Sequence, residues 1–150
     1  MKTKRIILKS FIILLLLIAN NYLAAQTVTQ VNDLNLTENQ SITLINIATS
    51  TLGKEEPGLC KYIDGSLMPK ISKFIVHISA EKSQSLPNYH RFSGAQDGKM
   101  FYKVELPCNA ETYEKEKFEY PYVVIIYIWE ETQRPFSLIC GTNGIGSTIF

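Results

Sequence analysis

Fourteen carboxylates, two histidines and three cysteines are the side chains from which acid–base or nucleophilic chemistry would have to be built in this chain. Glu105 has the most pointed setting, near the end of the segment Lys99–Leu106 and just before Pro107. His90 lies upstream, in Leu86-Pro87-Asn88-Tyr89-His90-Arg91-Phe92. A carboxylate and an imidazole on one surface are what proton transfer at a hydroxyl needs. Each also has a plainer reading: Glu105 as the exposed position of a strand alternating Tyr102, Val104 and Leu106, His90 as a loop surface residue, His77 as a structural residue beside an apolar stripe. Tyr89, Phe92, Phe101 and Tyr102 offer flat faces for a base, with Arg91, Lys99 and Lys103 as accompanying cations. Stacking of that kind is worth about 1–3 kcal/mol per base in single-strand binders. Cys60, Cys108 and Cys140 form no CxxC pair and no cysteine–histidine spacing of a zinc site, so neither a metal nor another cofactor is expected. Nothing near Cys108 or Cys140 supports a cysteine nucleophile paired with His77 or His90.

The elements that must carry these residues divide the chain. Residues 26–57 are rich in Ser, Thr, Asn and Gln and read as an N-terminal extension, hairpin-like or flexible, in which only Ser41–Ile47 alternates as a strand would. Asn35-Leu36-Thr37 and Asn39-Gln40-Ser41 are glycosylation sequons. Gly53 to Gly58 marks a boundary, and residues 58–150 read as one domain. Ser66, Pro69 and the spacing of Ile71, Phe74, Ile75 and Ile78 predict an amphipathic helix, with a strand as the alternative because Phe74, Val76 and Ile78 also alternate. The chain then reads β. Lys99–Leu106 is a strand, Tyr120–Trp129 a central strand buried on both faces, Phe136–Cys140 its hairpin partner and Thr148–Phe150 a last short strand. Glu111–Glu119 reads as a solvated loop or helical turn. One helix packed on an antiparallel sheet is an α+β fold.

Residues 1–25 have the layout of a secretory signal peptide: Lys2, Lys4, Arg5 and Lys9, the apolar run Phe11–Ile18, then Ala24-Ala25. That run is too short to span a bilayer, which takes roughly 20 residues. Cleavage after Ala25 would leave 11 basic and 14 acidic residues, a formal charge of −3 in place of +1. This speaks against a strongly basic nucleic-acid binder and against stable membrane insertion of the mature chain. A secreted location is expected. In an oxidising compartment three cysteines allow three single pairings, and Cys60–Cys140 is the one their positions favour. Cys108 would be the odd thiol.

This order of elements and motifs resembles the small secreted fungal ribonucleases specific for guanine, and in particular the ribonuclease-like effectors of plant-pathogenic fungi of the powdery mildew type. The likeness runs over residues 58–150 and rests on Cys60 ahead of a helix, Pro87-Asn88-Tyr89-His90, Glu105-Leu106-Pro107, Pro121-Tyr122-Val123-Val124, and Cys140-Gly141-Thr142-Asn143-Gly144 before the end. The resemblance implies a site in which Glu105 would be the base. It also implies losses: Asn88 stands where the family has its first His, Val123 where it has Arg, and Gly141 where it has the acid His. Losing the acid alone removes roughly 10²–10⁴-fold from a rate. The implied protein is a catalytically inactive, monomeric ribonuclease-like effector that binds host RNA or a host defence protein. Tyr89, His90, Phe92, Tyr102 and Glu105 would be its binding residues. The alternatives are an endoribonuclease with rearranged residues, using Glu105 with His90, and a bacterial periplasmic or secreted binding or inhibitor module.

Overall fold

Thr37 starts the long helix. Its hydroxyl accepts the Gln40 backbone N–H while the Gln40 side chain accepts the Thr37 N–H, a reciprocal cap that fixes helix α1, Glu38–Glu55. Leu44, Ala48, Thr51 and Leu52 recur at helical spacing and form its buried face. Pro57 opens a 3₁₀ turn over Pro57–Tyr62. The computed structural model describes residues 28–88, 90–109, 123–141 and 147–149. The expected signal peptide, Tyr89, the charge run 111–119 and the glycines at 144 and 146 lie outside the described residues.

The remaining elements are β1 (Val28–Val31), β2 (Lys70–Val76), the short helix α2 (Ala80–Ser85), β3 (Met100–Leu106), β4 (Val123–Trp129), β5 (Pro135–Gly141) and β6 (Ser147–Ile149). All six strands form one sheet in sequence order, each antiparallel to the next. The fold is α+β, a helix on an antiparallel sheet, as the sequence predicts. The helix, however, is a different one. Residues 71–78, expected to be helical, belong largely to β2, which pairs with β1 on one side and β3 on the other. There Ile71 packs on the α1 side and Phe74 and Val76 on the opposite side. His77 follows the strand and is exposed. Residues 38–55, expected in a peripheral extension, supply Leu44, Ala48 and Leu52 to the main core.

That core is built with Tyr102, Val104, Leu106, Val124, Ile126, Ile128 and Leu138 from β3, β4 and β5. The other sheet face carries a second cluster around Phe101, covered at one end by Ile78, Phe92 and Ala95 from the segment between β2 and β3. A register shift between Tyr127 and Ile128 accompanies the placement of Phe136 on this second face, stacked on Trp129 at 4.0 Å. Strand β4 is fully buried only on the α1 side; Ile125, Tyr127 and Trp129 on the other side stay half-exposed. The expected burial on both faces is therefore half realised, because no second long helix covers that side among the described residues.

Candidate functional site

The uncovered part of the second face is where aromatic rings and cations meet. Strand alternation brings Phe74 of β2, Phe101 and Lys103 of β3 and Tyr127 of β4 to the same side. Phe74 stacks on Phe101 at 5.4 Å and 14°, and Tyr127 meets Phe101 edge-on at 5.6 Å. The chain between α2 and β3 folds back over the end of this surface. Phe92 packs on Phe101 at 5.7 Å, and the Arg91 guanidinium sits over the Tyr127 ring at 5.2 Å. Together with Val28 at the sheet edge, these groups enclose an open cleft of about 270 Å³. This is near the low end of small-ligand sites, roughly 300–1,000 Å³, and is room for one ring system.

Local backbone bonds fix the wall. Ser93 N–H donates to the His90 carbonyl and Ala95 N–H to the Phe92 carbonyl, and Gly94 adopts a φ of 72°, which only glycine takes freely. The Ser83 hydroxyl donates to the Phe92 carbonyl, tying the wall to α2. His90 Nδ1 accepts the Phe92 N–H at 3.2 Å. Burial, helped by the nearby Arg91 and Lys82 charges, moves the His90 imidazole below its usual pKa. The ring is thus neutral near pH 7 and serves as a local acceptor.

The expected binding residues divide between the two faces. Phe92 stands at the cleft wall, His90 lies behind it outside the lining with its ring 5.9 Å from that of Phe92, and Glu105 lies on the same sheet face as Lys103, further along β3. Glu105 is engaged: Lys103 Nζ is 3.0 Å from one carboxylate oxygen, and Lys70 Nζ is 4.0 Å from the other. Tyr102 is not on this surface. It points to the α1 side, where its hydroxyl donates to Glu130 at 2.9 Å. The reason is elementary, since neighbours in a strand face opposite ways and Phe101 faces the cleft. Val123 and Gly141 are cross-strand partners at the ends of β4 and β5, so the two vestigial positions are adjacent in backbone. Phe74 and Tyr127 are the cleft residues that sequence reasoning placed elsewhere, one in a helix and one in the core. The alternation of β2 was the signal that would have found Phe74.

All three cysteines are free, so the Cys60–Cys140 bridge is absent. Cys60 is exposed on the 3₁₀ turn, whereas Cys108 and Cys140 pack, half-buried, against the α1-side core. Burial raises both inner thiols; that of Cys140, with the Glu56 carboxylate and the Cys108 thiol nearby, is pushed up to about 12. Among the described residues no group of histidines, cysteines and carboxylates could hold a metal ion. No described helix is long and apolar enough to cross a membrane. Comparison with protein-family models, with curated proteins and with solved structures gives no match.

Proposed function

We propose that this is a secreted, non-catalytic ribonuclease-like domain that acts by binding single-stranded RNA on the open face of its sheet. The observation that carries the reading is the cleft: the half-exposed rings of Phe74 and Tyr127 over the buried Phe101, beside Arg91, which has no carboxylate partner among the described residues. Aromatic faces beside a basic group are the elements from which single-strand sites are made. The absence of a cutting set supports binding over cleavage. Glu105 is held between two lysines, His90 is committed to its own turn, and Val123 and Gly141 offer neither cation nor acid. The resemblance extends the reading to an effector, with host RNA as the target. With a net charge of −3 after leader removal, phosphate steering is weak and affinity falls with salt.

Two assays on the purified protein test this. A labelled single-stranded RNA should show saturable anisotropy that weakens as salt rises, and the same RNA should remain intact after prolonged incubation. Absence of binding at any salt would remove the reading. Cleavage that disappears in Glu105→Gln would replace it with the endoribonuclease alternative.

A further inference from the structure

We infer that the cleft accepts one unstacked base of any identity, with its phosphate on Arg91, and that it has no preference for guanine. The inference rests on the RNA-binding reading above and defines what that site can recognise. Reading a base edge takes side chains that complement its donors and acceptors, and a guanine edge presents N–H donors that need an acceptor. The cleft offers almost none. Val28, Phe74, Phe92 and Phe101 are apolar, and Arg91 and Lys103 only donate. The Tyr127 hydroxyl is the one lining side-chain group, among the described residues, able to accept.

Glu105 is the carboxylate nearest in sequence to the lining but lies outside it, with Lys103 Nζ 3.0 Å from one oxygen and the exposed Lys70 4.0 Å from the other. What remains is the exposed part of the Phe74 and Tyr127 rings, Phe92 and Phe101 being buried behind them, and every base has a ring face to set against it. The volume, about 270 Å³, limits the occupant to a single base.

Arg91 is the anion anchor. It rests on the Tyr127 ring and is fixed by the turn that positions Phe92, so a phosphate at the rim meets a cation already in place. Lys103 is a weaker candidate, because Glu105 already neutralises it at 3.0 Å. One or two phosphate contacts give a shallow salt dependence, with a slope of about −0.7 per contact for single strands.

The test is a binding series with 5′-labelled six-nucleotide RNAs of A, C, G or U, plus an oligonucleotide carrying a central abasic site. The four homopolymers should bind within about threefold of one another, and Arg91→Gln should weaken all of them by about tenfold. Phe74→Leu should cost a similar factor through lost stacking. The exposed Arg134→Gln, on the β4–β5 turn, should change nothing. Guanine preference above tenfold, or full affinity in Arg91→Gln, would overturn the inference while RNA binding itself stood. An abasic strand bound as tightly as its parent would overturn base insertion. Failure of every strand to bind would instead count against the RNA-binding reading. The folding of both Arg91→Gln and Phe74→Leu is checked by their thermal transitions.

Discussion

Tyr102, Lys73 and Glu130 form the best-defined polar knot in the molecule. Lys73 and Tyr102 both donate to the same Glu130 oxygen, and the Lys73 ammonium also lies 5.7 Å from the Tyr102 ring centre. The knot joins β2, β3 and the β4–β5 turn at one end of the main core. Burial, with the Glu130 hydrogen bond and charge, moves the Tyr102 phenol up to about 12, so it is a donor throughout the useful pH range. For Glu130, burial opposes ionisation, but the bonds from Lys73 and Tyr102 and the Lys73 charge outweigh it and hold the carboxyl below its ordinary value of 4.5. A depressed folded value means that the unfolded chain takes up the proton first as pH falls. The stabilisation is therefore full above the ordinary glutamate value and lost as pH drops through the folded one. Glu130→Gln should lower the melting temperature at neutral pH by an amount matching about 1 kcal/mol or less, since the pair is partly solvated. It should also flatten the loss of stability between about pH 6 and about pH 3. Thermal melts across that range check both, and an unchanged acid limb in the variant would show that other carboxylates dominate. The thiols make a second prediction at this scale. Thiolate is the reactive form, so exposed Cys60 should be alkylated rapidly in the native protein at pH 8. Cys108 and Cys140, raised by burial, should react only on unfolding. Mass spectrometry of timed samples gives the order, and early labelling of Cys140 would contradict its packing.

Helix α1 depends on its cap more than on its composition. Ile42, Thr43, Ile45, Ile47, Thr49 and Thr51 are β-branched, and such residues lower helix propensity. The cap between Thr37 and Gln40 supplies the start that propensity does not. Thr37→Ala should cost about 1 kcal/mol, read from chemical denaturation. A loss within error would mean that packing of Leu44, Ala48 and Leu52 alone holds the helix. The same residues explain what was readable beforehand. Strands β3, β4 and β5 announce themselves by β-branched and aromatic runs with clear stops at Pro107 and before Pro135. In α1 the buried stripe includes an alanine and a threonine, so its hydrophobic period is faint while the Ser41–Ile47 alternation stands out. In β2 the apolar residues satisfy both periods, and only pairing with β1 and β3, which is non-local, decides for the strand. The site suffered accordingly. Arg91, Phe92 and Lys103 were recognisable as aromatic and cationic candidates. The cleft itself was not, because assembling it needs Phe74 on a strand and Tyr127 on a half-open face.

At the level of the whole molecule, the sheet is covered unevenly, and the candidate cleft lies on the uncovered part. Helix α1 lies over β3, β4 and β5 and closes the main core, while the segment from Ile78 to Lys99 closes only one end of the opposite face. Each strand pairs with its sequence neighbour, but a sheet with one large apolar face in water is not a stable endpoint. Val104, Val124, Ile126 and Ile128 are wholly buried, and α1 is the helix that packs against this cluster. Residues 26–57 are therefore expected to be indispensable, although their polar composition reads as an N-terminal extension. A chain beginning at Gly58 should show no cooperative thermal transition and poor amide dispersion. Because truncation also removes edge strand β1, Leu52→Ala in the full chain isolates the contribution of α1. Leu52 is 1% exposed, and its truncation should cost about 2–5 kcal/mol. A chain from Gly58 that melts sharply at the parental temperature, together with a Leu52→Ala cost near zero, would mean that the sheet holds its own core.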